Sequence, residues 1–133
     1  MTQASTTAAL GAQRFVELTT FKRDGTPVAT PVWITPDGDT LVVTTHAASY
    51  KVKRLRRNPR VRLVPCTRTG KVDATGPPVE GTAEIVTDPR EAARLTDLVR
   101  RKYGLEYRLV MLIERLATRR RRDRVMLRIT LPG

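Results

Sequence analysis

One cysteine, one histidine and one tryptophan stand among the 133 residues. With Cys66 alone, an intramolecular disulfide and a cysteine-based zinc cluster are excluded, and no metal centre is expected. Aromatic residues make up 5% of the chain, too few to give bases their stacking platforms. Helix-turn-helix and zinc-finger spacings are missing as well. The longest apolar run, Leu109 to Ile113, falls far below the about 20 residues of a membrane-spanning helix. The first residues have neither a basic start nor an apolar run, so they do not read as a secretory leader. A soluble, cytoplasmic protein is expected, one with no membrane role and a poor match to nucleic acid.

Acids are the other scarcity. Asp and Glu total 13 against 25 Lys and Arg, which leaves a net charge of +12 and a pI near 11.2. Such an excess attracts anions. Twenty of the 25 cations are Arg, whose planar fork suits phosphate and carboxylate. The length fits one domain with a real core.

Residues 1–12 are small and polar and read as a flexible tail, with one domain over 13–133. Phe15 to Phe21, Val28 to Ile34 and Leu41 to Thr45 are β-prone runs separated by Asp24-Gly25 and Asp37-Gly38. Asp-Gly between such runs is a hairpin signal, because tight turns need positive φ. Two successive hairpins predict a three-stranded antiparallel meander. Ser49 to Asn58 has Val52 and Leu55 at helical spacing and Ser49 placed to cap. Arg60 to Val64 alternates as a strand with one wet face. Thr67 to Pro78 reads as a loop and Val79 to Val86 as a fifth strand.

Asp88-Pro89-Arg90-Glu91 carries a helix start with cap, proline and acid in order. Ala92, Leu95, Leu98 and Val99 form its apolar stripe, and Gly104 ends it. Leu105 to Thr118 repeats the pattern through Leu109, Leu112, Ile113 and Leu116. Arg124 to Leu131 alternates as a last strand. The expected class is α+β, mainly β: a six-stranded antiparallel split β-barrel with flanking helices, closed to hide its edges.

The most chemically suggestive segment is Thr44-Thr45-His46-Ala47-Ala48-Ser49-Tyr50-Lys51. A phosphate wants a helix N-terminus, hydroxyls and a cation, and Thr44, Thr45, Ser49 and Lys51 bring all three within eight residues. From Lys51 to Arg62 there are seven cations and no acid, and Arg119 to Arg122 make a second cluster.

With Gly25-Thr26-Pro27-Val28-Ala29-Thr30-Pro31-Val32-Trp33 on the second strand and TTHAASYKVKRLRRNPRV over 44–61, the chain resembles the split β-barrel flavin-binding superfamily. That superfamily holds pyridoxamine phosphate oxidases and actinobacterial oxidoreductases that use the deazaflavin coenzyme F420. The resemblance implies a homodimer with cofactor at the subunit interface. It implies a ring lying along Thr30, Pro31, Val32 and Trp33, and a phosphate held by Thr44, Thr45, Ser49, Lys51 and Arg54. Tyr50 stands where pyridoxamine phosphate oxidases usually have Arg, which counts against a vitamin B6 oxidase. The cationic surroundings favour F420, whose tail adds carboxylates, over FMN. The expected activity is hydride transfer from reduced deazaflavin to a small-molecule acceptor. The alternatives are an FMN oxidase or reductase of the same fold, an F420 carrier, or a basic nucleic-acid binder. No side chain reads as a catalytic acid or base. His46 reads as a turn residue first and a phosphate or proton group second, and Cys66 as a buried strand residue.

Overall fold

The computed structural model describes residues 3–67, 71, 78–117 and 124–132. Most of the expected 67–78 loop and all of Arg119 to Arg122 lie outside the described residues. Seven strands and three helices follow in the order α1 (Gln3–Gly11), β1 (Phe15–Phe21), β2 (Pro27–Trp33), β3 (Thr35–Asp37), β4 (Thr40–His46), α2 (Tyr50–Arg57), β5 (Arg60–Pro65), β6 (Val79–Val86), α3 (Pro89–Ala117) and β7 (Arg124–Thr130). The strands form one antiparallel sheet in the order β2-β1-β5-β6-β7-β4-β3.

The expected meander is corrected here. Asp24-Gly25 does join β1 to β2, with Thr19 opposite Ala29. Asp37-Gly38, however, joins β4 to the three-residue β3, with Pro36 opposite Leu41. β2 and β3 are the two outer members of the sheet, and the single residue Ile34 separates them along the chain. The sheet therefore curls until its first and last strands are two halves of one extended segment. Ile34 leaves the ladder because its N–H donates to the Tyr103 hydroxyl at 2.9 Å, and that hydroxyl in turn bonds the Ile34 carbonyl. The strand count rises from six to seven for that reason.

Strand alternation sends one set of side chains inward. Val16 and Leu18, Leu41 and Val43, Val61 and Leu63, and Leu127 and Ile129 fill the barrel. A second apolar cluster lies outside the sheet, where Leu95, Val99 and Tyr103 of α3 cover Val42, Val86 and Met126. The α3 start forms as read, with the Arg90 N–H donating to the Asp88 carboxylate at 3.1 Å. Glu91 is used differently, accepting from Arg94 and Arg128 instead of closing a capping box.

Two further expectations change. The tail reading of 1–12 gives way to helix α1, which buries Thr7 and Leu10. Its last residue, Gly11, lies so close to Pro36 that a Cβ there would sit 2.8 Å from the proline Cβ. The stripe after Gly104 repeats the apolar spacing of the first half of α3, yet Leu105, Leu109, Leu112, Ile113 and Leu116 are all exposed. Gly104 kinks α3 with φ 53° and ψ −122°, a backbone state that residues with a Cβ avoid, and the helix beyond it keeps Glu114 on Arg124 of β7 while its leucines face outward. No helix among the described residues is long and apolar enough to cross a membrane.

Candidate cofactor site

β4 and α2 meet at one end of the barrel, and their sequences decide which groups face each other. Val52 and Leu55 are buried, so α2 packs its apolar side down and turns Lys51 and Arg54 along the rim. Ser49 caps the helix, accepting from the Val52 N–H at 3.4 Å, and its hydroxyl lies 3.5 Å from that of Thr45. Basic Arg54, Arg56 and Arg57 fill the last turn, and the first turn holds no acid. The positive end of the helix dipole thus meets no protein carboxylate of its own.

Thr44 and Thr45 point to opposite faces of β4, as successive strand residues must. Thr45 turns with Leu41 and Val43 toward Ser49. Thr44 turns outward, where its hydroxyl and carbonyl accept from Arg124 at 3.0 and 3.2 Å. Arg124 comes from β7, which pairs His46 with Arg124. Its guanidinium also takes both oxygens of Glu114 at 2.9 Å. His46 sits 3.3 Å from the same carboxylate, so it is tied into this outer network. Arg124 was not found in the sequence; only the β4–β7 register brings it here, and a single sequence carries no signal for that pairing.

Lys51 is half-buried. No carboxylate among the described residues pairs with it; burial first, then Arg54 and Arg124, push its pKa below the usual lysine value. Arg54 fixes its Nε on the Thr20 hydroxyl of β1 at 2.6 Å. Arg124 is paired with Glu114, whereas Lys51, beside a helix N-terminus and two hydroxyls, keeps a positive charge without a carboxylate partner among the described residues, an arrangement suited to an anion.

β2 begins beside this cluster, since Thr20 lies opposite Val28. Thr30 follows two residues further, about 7 Å along the strand. The Lys22 N–H donates to the Thr26 carbonyl, which fixes the alternation of the ladder. The backbone groups of Pro27, Ala29, Pro31 and Trp33 then point away from β1, along an edge paired by no described strand. Prolines at 27 and 31 remove donors there, as edge strands tolerate, and leave the N–H groups of Ala29 and Trp33 as outward donors. The side chains are committed elsewhere. Val32 is buried, and Trp33 stacks on Tyr103 with ring centroids 4.4 Å apart. The buried Thr30 hydroxyl has no hydrogen-bond partner among the described residues. Of the nine expected residues, Thr45, Ser49, Lys51 and Arg54 lie around the start of α2, Thr44 turns to the outer face onto Arg124, Pro31 and Trp33 lie on the open backbone edge, and Thr30 and Val32 turn their backbone groups to β1.

Cys66 extends the β1–β5 pairing by donating its N–H to the Phe15 carbonyl at 3.2 Å. Burial and Glu17 push its thiol pKa up, the opposite of an activated nucleophile.

A curled antiparallel sheet with one split seam and a cationic helix at its rim defines a split-barrel protein. The family model described as pyridoxamine 5'-phosphate oxidase matches residues 3–131, and the chain belongs to that family. Among solved structures, a conserved hypothetical protein from Mycobacterium tuberculosis is similar at 25% identity and TM-score 0.71, covering 100% of this chain and 82% of that one. A FAD-binding protein from Mesorhizobium loti shares 19% identity at TM-score 0.60, over 100% and 90% of the two chains. A protein named F420 reductase shares 22% identity at TM-score 0.59, over 94% and 92%. No curated protein matches.

Proposed function

We propose that the chain is an F420-dependent reductase, acting as a homodimer with the cofactor at the subunit interface. The observation that carries this reading is Lys51 at the N-terminus of α2, a half-buried cation with no carboxylate partner among the described residues and with Arg54 and Arg124 as charged neighbours. Bound there, the deazaflavin would supply the hydride, chemistry that the protein itself does not provide. Lys51, Arg54 and the hydroxyls of Ser49 and Thr45 neutralise and orient its phosphate. The outward N–H groups of β2 orient the ring edge. Trp33, held against Tyr103, keeps that strand in place and excludes water beneath it. Among the described residues His46 and Glu114 are tied to Arg124 on the outer face, so rate comes from proximity and orientation of a small organic acceptor.

Tyr50 supports the deazaflavin over a vitamin B6 oxidase activity: it is exposed and lies 5.3 Å beneath the Lys53 ammonium instead of supplying a guanidinium. The similarity to a FAD-binding protein supports a second reading, an FMN-dependent oxidase or reductase on the same residues. Spectral titration with F420 and with FMN decides between them. F420 is expected to bind with Kd below about 1 μM and FMN more weakly. Tighter FMN binding selects the second reading, and binding of neither sinks both.

A further inference from the structure

The kink at Gly104 gives α3 an elbow. Thr96 and Arg100 before the kink, with Tyr107, Arg108, Met111 and Arg115 after it, line one hollow of about 470 Å³. A hollow of about 370 Å³ beside it shares Arg100, Tyr107 and Arg108. The larger one has the volume of a small-molecule site. It shares no residue with the seat around Lys51, so it does not depend on which cofactor binds there.

Charge decides what sign of ligand the elbow takes. Arg100, Arg108 and Arg115 are exposed, and none of them meets a carboxylate among the described residues. Arg101, beside the smaller hollow, is different: Asp97 holds it at 2.9 Å. The acid in the larger hollow's wall, Glu114, has both oxygens on Arg124 at 2.9 Å, so its charge is already met from the barrel side. Three uncompensated guanidiniums around one hollow attract an anion, and their planar forks match a carboxylate.

The lining decides the body of that ligand. Tyr107 and Met111 are partly buried, and Arg108, Met111 and Arg115 follow at three and four residues, on one helix face. Trp33 stacks on Tyr103 at 4.4 Å and meets Tyr107 at 6.2 Å with 35° between the planes. The aromatic series on this side of the barrel therefore ends in the wall of the hollow. Rings pack against rings at such offsets, a thioether seats against an aromatic ring, and a guanidinium lies flat on one. All three favour a flat ring over a flexible chain.

We propose that the α3 elbow binds a small aromatic carboxylic acid, its ring laid against Tyr107 and Met111 and its carboxylate among Arg100, Arg108 and Arg115.

Calorimetric titration of the full chain with 2-naphthoate tests this, with decanoate and 2-naphthalenemethanol as comparison ligands and Arg108→Ala/Arg115→Ala as the variant. Both arginines are exposed, and far-UV circular dichroism verifies that the variant folds. One 2-naphthoate should bind per chain with Kd below about 100 μM, within reach of a ligand of that size. The double substitution should weaken it at least about tenfold, whereas Lys22→Ala/Arg23→Ala, which removes the same charge from the β1–β2 turn, should change it less than about twofold. The alcohol, without the charge, and decanoate, without the ring, should each bind at least about tenfold more weakly. In methyl spectra of the protein labelled at methionine, 2-naphthoate should shift Met111 and leave buried Met126 in place. No binding by the wild type overturns the site. Equal loss in both double variants reduces it to general charge and overturns it too, as does a Met111 signal that stays still. Decanoate binding as tightly as 2-naphthoate overturns the aromatic assignment.

Discussion

Two lysines, each half-buried and each with its pKa lowered by burial, have opposite surroundings. Lys102 donates to the carbonyls of Gly11, Gln13 and Ile34. An ammonium has three donors, so it is saturated by protein. Lys51, at the other end of the barrel, has Arg54 and Arg124 as its charged neighbours. The difference, more than residue type or pKa direction, sets a cation held by the protein apart from one without a partner among the described residues. Lys102 locks the corner where one extended segment passes from β2 to β3, together with the adjacent Tyr103 hydroxyl, which donates to the Arg14 carbonyl at 2.7 Å. Lys51 locks nothing.

The comparison breaks most visibly by removing each ammonium. Lys102→Met leaves three carbonyls without their donor at the barrel seam. It should cost about 2–4 kcal/mol of stability, read as a lower urea midpoint with an unchanged m-value. An undiminished midpoint would show that the corner is held by Tyr103 alone. Lys51→Ala should do the reverse. Cofactor affinity should fall by roughly 1–3 kcal/mol, while stability stays level or rises, since a desolvated cation among cations is lost. Unchanged affinity with both F420 and FMN would mean that the phosphate is held elsewhere. Arg54→Ala should weaken binding less, by about 0.5–1.5 kcal/mol, because Arg54 is already engaged with Thr20 and acts as the second cation.

Much of this was legible in the chain, and what was not has a common physical cause. β1 and β6 fall where the β-prone runs place them, and Ser49, Asp88 and Gly104 act as the caps and breaker their identities suggest. Each is a local signal. The corner at Ile34 is not local: Asp37-Gly38 announces a turn, but only Tyr103, 69 residues away, cuts the preceding strand. In the candidate site, the segment before and into α2 was readable because cap, hydroxyls and cation lie within eight residues of one another. Arg124 was not, because it enters through pairing of β4 with β7. Periodicity located the leucine stripe after Gly104 but could not say which way it faces; the kink decides that. The helix over Gln3–Gly11 was hidden by a composition of Thr, Ala and Ser, and it is secured by Leu10 in the core and Gly11 against Pro36.

The smallest expected effect is a pH dependence that distinguishes the seam lysine from its tyrosine neighbour. Burial, with Arg14 nearby, brings the Lys102 pKa down to about 8 from its ordinary 10.5. In the unfolded chain the ammonium persists to higher pH, so between about 8 and 10.5 the unfolded state binds more protons and stability rises with pH. That contribution is complete above the unfolded value and is lost as pH falls through about 8. Tyr103 acts oppositely. Burial raises its pKa from 10.0 to about 12, so its contribution is present below pH 10 and is lost as pH rises toward 12. The window from pH 8 to 10 isolates the lysine. Lys51 shifts in the same direction, so the informative quantity is the difference in urea midpoint between wild type and Lys102→Met. That difference should widen gently from pH 8 to 10 and flatten above, while Tyr103→Phe should remove the decline beyond pH 10. A difference independent of pH across 8 to 10 would mean that the three carbonyls hold the ammonium charged as firmly as water does.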